Sequence, residues 1–336
     1  MNNLGTPVIP AETSDAASLA EELKLSPNQT TLNRAIHCAG VALHSGKKVS
    51  LTLKPAPANT CIIFRRTDLP GQPEVAASWD NVVDTRMCTT LGDGGEVTIS
   101  TVEHLMAAIS GSHVDNMIVE LDGPEVPVMD GSSQPFIFLI ECAGVTELDA
   151  RRRVIEILKP VKVAEDNWLA ELLPSNSFSV GFEIEFDNSA VSRQEISVRL
   201  VNGTFKKEIA RARTFGFAHE VEQLRAAGLG LGGSLDNAVI VDGDKILNDG
   251  GLRYDDEFVR HKVLDAVGDL YLAGGAIRGH YRGVRAGHRV TNLLLQKLFA
   301  DPSAWRYVEL SGDEAAVGRG YTPVENDEDA PVAAVG

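Results

Sequence analysis

Residues 49–53, Val-Ser-Leu-Thr-Leu, carry an apolar side chain at every second position. That is the period of a strand with one buried face. Short apolar runs at 61–64, 97–99 and 117–121 predict further strands, and the longer apolar stretches at 102–110 and 135–143 predict helices. The pattern then restarts. Strands are predicted at 154–158 and 161–163, and the strongest alternation in the chain, Phe-Ser-Val-Gly-Phe-Glu-Ile-Glu-Phe, covers 178–186. A helix at 219–227, a strand at 238–241, a long amphipathic helix at 256–272 and a last helix at 290–300 complete the series.

Between the two series lies a polar, charged stretch, 144–153, ending in Arg151-Arg152-Arg153. It is the expected boundary between a first part, 30–147, and a second, 154–313. Residues 1–29 are small, polar and acidic and read as a flexible extension with one helix at 15–24. Residues 314–336 read as a solvated acidic tail. Each part offers strands and a helix that bears a histidine. His104-Leu-Met-Ala-Ala and His261-Lys-Val-Leu-Asp-Ala are similar enough to hint at a duplication.

Composition narrows the field. The 336 residues are 43% hydrophobic, enough for a sizeable core and too many for a disordered chain. The net charge of -16 argues against nucleic acid as a partner, because phosphate calls for a basic surface. A few local cations could still hold an anionic substrate. No run reaches the ~18 apolar residues of a membrane-spanning helix, and residues 1–23 have neither the basic start nor the apolar centre of a signal peptide. Cys38, Cys61, Cys88 and Cys142 stand singly, which fits a reducing cytoplasm and neither a zinc ribbon nor a disulfide framework.

The candidate chemistry starts from His261 and Asp265. On a helix they are i and i+4 and share a face, with Asp269 one turn further on. An imidazole and a carboxylate at that spacing can chelate a metal ion; the bland alternative is an exposed pair on a charged helix. Ser100-Thr-Val-Glu103-His104 opens an apolar helix. It reads either as a capping box, with Glu103 folded back onto Ser100, or as a metal ligand, His104, beside a general base, Glu103. Together His104, His261 and Asp265 would offer two nitrogens and one carboxylate, the three-ligand set that leaves a catalytic metal an open position. Thr214 could donate to a developing oxyanion, or be a plain turn threonine. His288 follows Gly287 in a loop and reads as a surface histidine until something places it. The glycine-rich stretch 228–233 lacks the GxxxxGK[ST] pattern of a phosphate loop. With Leu229 and Leu231 it suits an apolar ligand better.

Six segments, in order, carry a resemblance: 40–46 (GVALHSG), 100–105 (STVEHL), 124–132 (PEVPVMDGS), 212–216 (ARTFG), 231–234 (LGGS) and 258–270 (FVRHKVLDAVGDL). Over roughly 30–310 the chain resembles the UDP-3-O-acyl-N-acetylglucosamine deacetylase family, metal amidases of lipid A biosynthesis in Gram-negative bacteria. The resemblance implies an α+β fold of two domains of similar topology, with helix layers packed between two outer sheets and the site in the cleft. It implies one Zn2+ per chain, with Fe2+ as an alternative, on His104, His261 and Asp265. Glu103 becomes the base, Thr214 the carbonyl-polarising hydroxyl, His288 the cationic acid and Asp269 the carboxylate orienting it.

The substrate implied is an acylated UDP-sugar. Lys262 matches a lysine that holds it, and Phe186 an aromatic near the uridine, with Glu185 beside it. Val221, Leu235, Ala238 and Ile240, in an insert at about 216–248, are expected to line an acyl passage with Met87 at its mouth. Cys88, Phe215 and Ser234 are counted with the substrate-contacting positions. The turn 164–168 lacks a lysine that some relatives place on the diphosphate. The reading is a cytoplasmic, monomeric amide hydrolase with no transmembrane segment. Its rivals are a hydrolase of another amide on the same scaffold and a non-catalytic binding module.

Overall fold

The computed structural model describes residues 26–201 and 203–310. The expected helix at 15–24 and the acidic tail lie outside the described residues.

Two five-stranded sheets dominate. The first runs Ile36–Val41, Lys48–Pro55, Met117–Leu121, Ile62–Arg66, Glu74–Ala76 in spatial order. The second runs Val161–Glu165, Trp168–Leu173, His280–Val284, Ser179–Glu185, Arg193–Arg199. In both, successive neighbours pair antiparallel, antiparallel, parallel, antiparallel. In both, the middle strand is the last of the five in sequence and lies between two helices. The likeness of the two His-bearing helices therefore extends to a repeated topology. Alternation explains the strands: every second residue of Lys48–Pro55 and of Met117–Leu121 turns into the core.

Five α-helices are found among the described residues: α1 (Glu103–Gly111), α2 (Gln134–Ala143), α3 (Ala218–Ala226), α4 (Glu257–Tyr271) and α5 (His288–Phe299). α1 and α4 pack against each other. α4 also packs on strands Ser179–Glu185 and Arg193–Arg199, and α5 on Val161–Glu165 and Trp168–Leu173. From Glu103 to Ile109 every α1 residue is buried, and in α4 nearly all are. Helices covered all round belong in an interior, and here that interior is where two elements must touch closely. Gly268 permits it. A Cβ there would lie 2.0 Å from the Glu103 carbonyl oxygen.

Two expectations need correction. The stretch 144–153, read as a polar boundary, contains the strand Val145–Arg151, paired antiparallel with Asn28–Leu32. Its residues are exposed or half-buried throughout, so no apolar alternation marks the strand. Asn28 and Gln29, read as the end of a flexible extension, are the first residues of that partner strand, and Gln29 is buried. Within the expected insert, Phe215–Phe217, Val239–Asp242 and Lys245–Ile246 form a small sheet on which α3 packs.

Candidate active site

α1 begins at Glu103, so its first turn brings Glu103 and His104 to the α4 contact. The capping-box reading of Ser100 and Glu103 is overturned. Val102 is the cap residue and no side chain caps the helix. The Glu103 carboxylate instead accepts the Thr89 N–H through Oε2 at 3.0 Å, and the Ser100 hydroxyl bonds the Thr90 hydroxyl.

α4 supplies His261 and Asp265, and both are buried, so the reading of an exposed helix-surface pair also falls. His261 Nε2 lies 3.3 Å and His104 Nε2 3.6 Å from Asp265 Oδ1. One donor atom from each of the three fits within 4.8 Å of the others. The imidazoles meet edge to face, with centroids 5.0 Å apart.

The tautomer of His261 follows from its neighbour. Nδ1 lies 3.1 Å from the Ala212 carbonyl oxygen, which can only accept, so Nδ1 carries the hydrogen and Nε2 keeps its lone pair for the cluster. Burial lowers the His261 pKa to about 3, with His104 and Lys262 adding to the effect and Asp265 opposing it. The ring is neutral, as a ligand must be. Burial works against the Asp265 carboxylate, yet the Lys262 ammonium and a hydrogen bond from His104 hold it well below its usual range. Lys262 donates directly to Asp265 Oδ2. His104 Nδ1 is buried without a hydrogen-bond partner.

The segment that presents Ala212 is itself anchored. Glu257, the first residue of α4, is fully buried and accepts Arg213 N–H at 2.9 Å, Arg213 Nε at 2.8 Å and Arg213 Nη2 at 3.0 Å. A buried pair satisfied this fully is rigid. Beyond it, Thr214 donates its N–H to the Gly131 carbonyl oxygen at 2.8 Å. Gly131 has φ +84, and a Cβ there would lie 2.1 Å from Asn237 O. The turn at 130–132 thus needs glycine in order to seat Thr214.

His288, read from sequence as a loop histidine, is the first residue of α5. Its Nδ1 lies 2.7 Å from Asp269 Oδ2 and its Nε2 3.8 Å from Glu103 Oε1. Burial alone would lower its pKa, but Asp269, Glu103 and Asp265 outweigh it and push it up to about 9. For Glu103, burial raises the pKa, against the pull of His288 and His104.

Phe215 packs edge-on to His261 at 6.3 Å, to Phe258 at 4.9 Å and to Phe186 at 5.7 Å, with the Lys262 ammonium 6.0 Å above its ring. The structure therefore brings Lys262, Phe215 and Phe186 to the cluster. Glu185 is exposed and paired with Arg285. Ala238 and Ile240 lie on or beside the strand paired with Phe215–Phe217, Val221 is on α3, and Ser234 and Leu235 are in the turn before that strand. Met87 and Leu235 are 46% and 48% exposed. Cys88 is buried, and burial, with Glu103 nearby, pushes its thiol up to about 12, so it is inert.

Sequence reasoning passed over Thr89, Glu257 and the Ala212 carbonyl. Glu257 had a signal, an acid at the start of a helix; a backbone carbonyl and a threonine before a short strand had none. Both ring nitrogens of His44 are buried and unpartnered, while its backbone N–H and that of Ser45 donate to Glu125.

Two imidazoles and a carboxylate around one point, a second carboxylate outside that set, and an imidazole held cationic form the layout of a metal-assisted hydrolase. A sequence profile described as UDP-3-O-acyl N-acetylglycosamine deacetylase matches residues 29–300. The UDP-3-O-acyl-N-acetylglucosamine deacetylase of Idiomarina loihiensis is 50% identical over 289 residues, 85% of this chain and 94% of that one. That of Acidithiobacillus ferrooxidans is 50% identical over 283 residues, covering 84% and 93%. That of Colwellia psychrerythraea is 44% identical over 302 residues, covering 89% and 97%. The chain belongs to the UDP-3-O-acyl N-acetylglycosamine deacetylase family.

Proposed function

We propose that this protein hydrolyses the N-acetyl amide of UDP-3-O-acyl-N-acetylglucosamine, giving acetate and UDP-3-O-acyl-glucosamine, the committed step of lipid A biosynthesis. The observation that carries the reading, in a chain of this family, is Glu103: a buried carboxylate beside the donor cluster, with one oxygen on Thr89 and the other facing His288. A binding module has no use for such a group.

His104, His261 and Asp265 would hold the cation, Zn2+ by the chemistry of two imidazoles and a carboxylate, with Fe2+ as the alternative. When bound, the cation supplies positive charge that acidifies water and polarises the amide carbonyl. Glu103 takes the proton of the attacking water and returns it to the leaving nitrogen. His288, charged through Asp269, donates from Nε2 to the oxygen on which negative charge develops, and the Thr214 hydroxyl is a second donor. Lys262 holds the substrate. Phe186 and Glu185 lie on the uridine side. Val221, Leu235, Ala238 and Ile240 take the acyl chain, with Met87 at its entrance, and Cys88, Phe215 and Ser234 are further substrate-contacting positions. The protein acts as a cytoplasmic monomer; no helix among the described residues is long and apolar enough to cross a membrane.

The test is acetate release from the acylated UDP-sugar, followed by mass spectrometry, alongside elemental analysis. About one metal per chain is expected, and His261→Ala should lose most of it. A wild-type protein that releases no acetate overturns the substrate. Full metal retention in both His104→Ala and His261→Ala overturns the site.

A further inference from the structure

Thr89 stands just ahead of the strand Thr90–Gly92 and is 1% exposed. Its carbonyl accepts the Val102 N–H at 3.3 Å, which ties it to the run into α1. Its N–H donates to Glu103 Oε2 at 3.0 Å, and its hydroxyl donates to Asp269 Oδ1 at 2.6 Å. The other oxygen of each carboxylate belongs to His288: Asp269 Oδ2 lies 2.7 Å from Nδ1, and Glu103 Oε1 lies 3.8 Å from Nε2. Thr89, Glu103, His288 and Asp269 therefore close a ring. Each carboxylate has one oxygen on the threonine and one turned to the imidazole.

A buried threonine hydroxyl can usually satisfy itself on a nearby backbone carbonyl. This one reaches a carboxylate 180 positions away on α4. Asp269 can rotate about its own side-chain bonds, and rotation would withdraw Oδ2 from His288 Nδ1. A short bond to Oδ1 removes that freedom. The peptide N–H does the same for Glu103, and that bond is kept in both the valine and the serine substitution. The two arms share one residue, so a single threonine bridges Glu103 and the Asp269–His288 pair.

We infer that Thr89 is a positioning residue: its hydroxyl fixes the Asp269 rotamer that aims His288, while its backbone N–H fixes Glu103 at a set distance from it. The inference rests on the deacetylase reading for its kinetic consequence and on geometry alone for its structural one. Thr89→Val removes the hydroxyl at nearly constant shape, and Thr89→Ser keeps it. With metal content and melting temperature matched to wild type, Thr89→Val should lower kcat about 10- to 100-fold, the scale of a small misplacement of a catalytic group. KM should change little, and Thr89→Ser should recover most of the loss. In an Asp269→Ala background the valine substitution should add little further, because it acts through Asp269. The His288 Nδ1–H proton resonance, assigned by its absence in His288→Ala, should shift or broaden in Thr89→Val and return in Thr89→Ser. A folded, metal-loaded Thr89→Val with wild-type kcat and an unmoved resonance overturns the inference. Should the valine variant not fold, Thr89→Ala carries the same expectations. Should wild type release no acetate, the deacetylase reading fails on its own, and the resonance alone decides for or against Thr89.

Discussion

Replacing Gly268 by alanine sets two effects of opposite sign against each other. In the interior of an ordinary helix the change stabilises by about 1 kcal/mol, because glycine is the poorer helix former. In α4 the added Cβ would lie 2.0 Å from the Glu103 carbonyl oxygen, 2.8 Å from its carbonyl carbon and 3.1 Å from the Ala107 nitrogen. All three are backbone atoms of α1, so no side chain can swing aside. Restoring ordinary contact requires α1 and α4 to separate by about 1 Å or more. Overpacking costs ~1–3 kcal/mol, and an approach this close to rigid backbone belongs at the upper end, which outweighs the propensity gain. The same separation pulls His104 and Glu103 away from His261, Asp265 and Asp269. A misplacement near 1 Å is expected to cost about 10²-fold in turnover. Thermal melting should therefore fall by a few degrees, and steady-state acetate release should fall far more than that loss of stability implies. A Gly268→Ala protein with an unchanged or raised melting temperature and wild-type kcat would refute the view that this helix contact sets the spacing of the site.

Glu103→Ala should keep its metal, since Glu103 lies outside the donor set, and lose ~10²–10⁴ in kcat; elemental analysis beside kinetics checks both. His288, pushed up to about 9, carries its proton below that pH and loses it above, so kcat/KM should fall on the alkaline side. Asp269→Asn removes a negative charge from the imidazole and should move that limb to lower pH; a limb that stays in place would exclude His288 as its source. Shortening the substrate's acyl chain should depress kcat/KM steeply, at up to ~0.8 kcal/mol per buried CH₂. Equal turnover of acylated and unacylated UDP-N-acetylglucosamine would favour a different amide substrate.

α1 and α2 were legible as apolar stretches too long for a strand, and α4 by its amphipathic period. The sequence pattern starts α4 at 256 and α1 at 102, and the helices start at Glu257 and Glu103. The metal-type triad was legible in part: the i, i+4 spacing of His261 and Asp265 is local, but bringing His104 to them is a matter of tertiary packing that no spacing encodes. Val145–Arg151 escaped because its partner is Asn28–Leu32, more than a hundred positions away, and its exposed residues hid the alternation. The fate of Glu103 shows the same limit. Ser-x-x-Glu is the local signature of a cap, and only the position of Thr89 explains why the carboxylate turns away from Ser100. His288 reads as a surface histidine because it follows a glycine in what looks like a loop, whereas its spatial neighbours are the carboxylates of two other helices.

The repeated sheets divide the donors unequally. His104 stands on the helix of the first repeat, and His261 and Asp265 on its counterpart in the second. An ion seated among them would act as a cross-link between two halves of one chain. Only the assembled pair presents all three atoms, so by thermodynamic linkage a free-ion concentration 1,000 times the dissociation constant would contribute about 4 kcal/mol to keeping the halves together. Cofactor supply in the cell would then govern how long the protein survives proteolysis as well as how fast it turns over. Starvation for the ion would be felt first as a loosening of the seam between the repeats, while each sheet kept its own strand pairing.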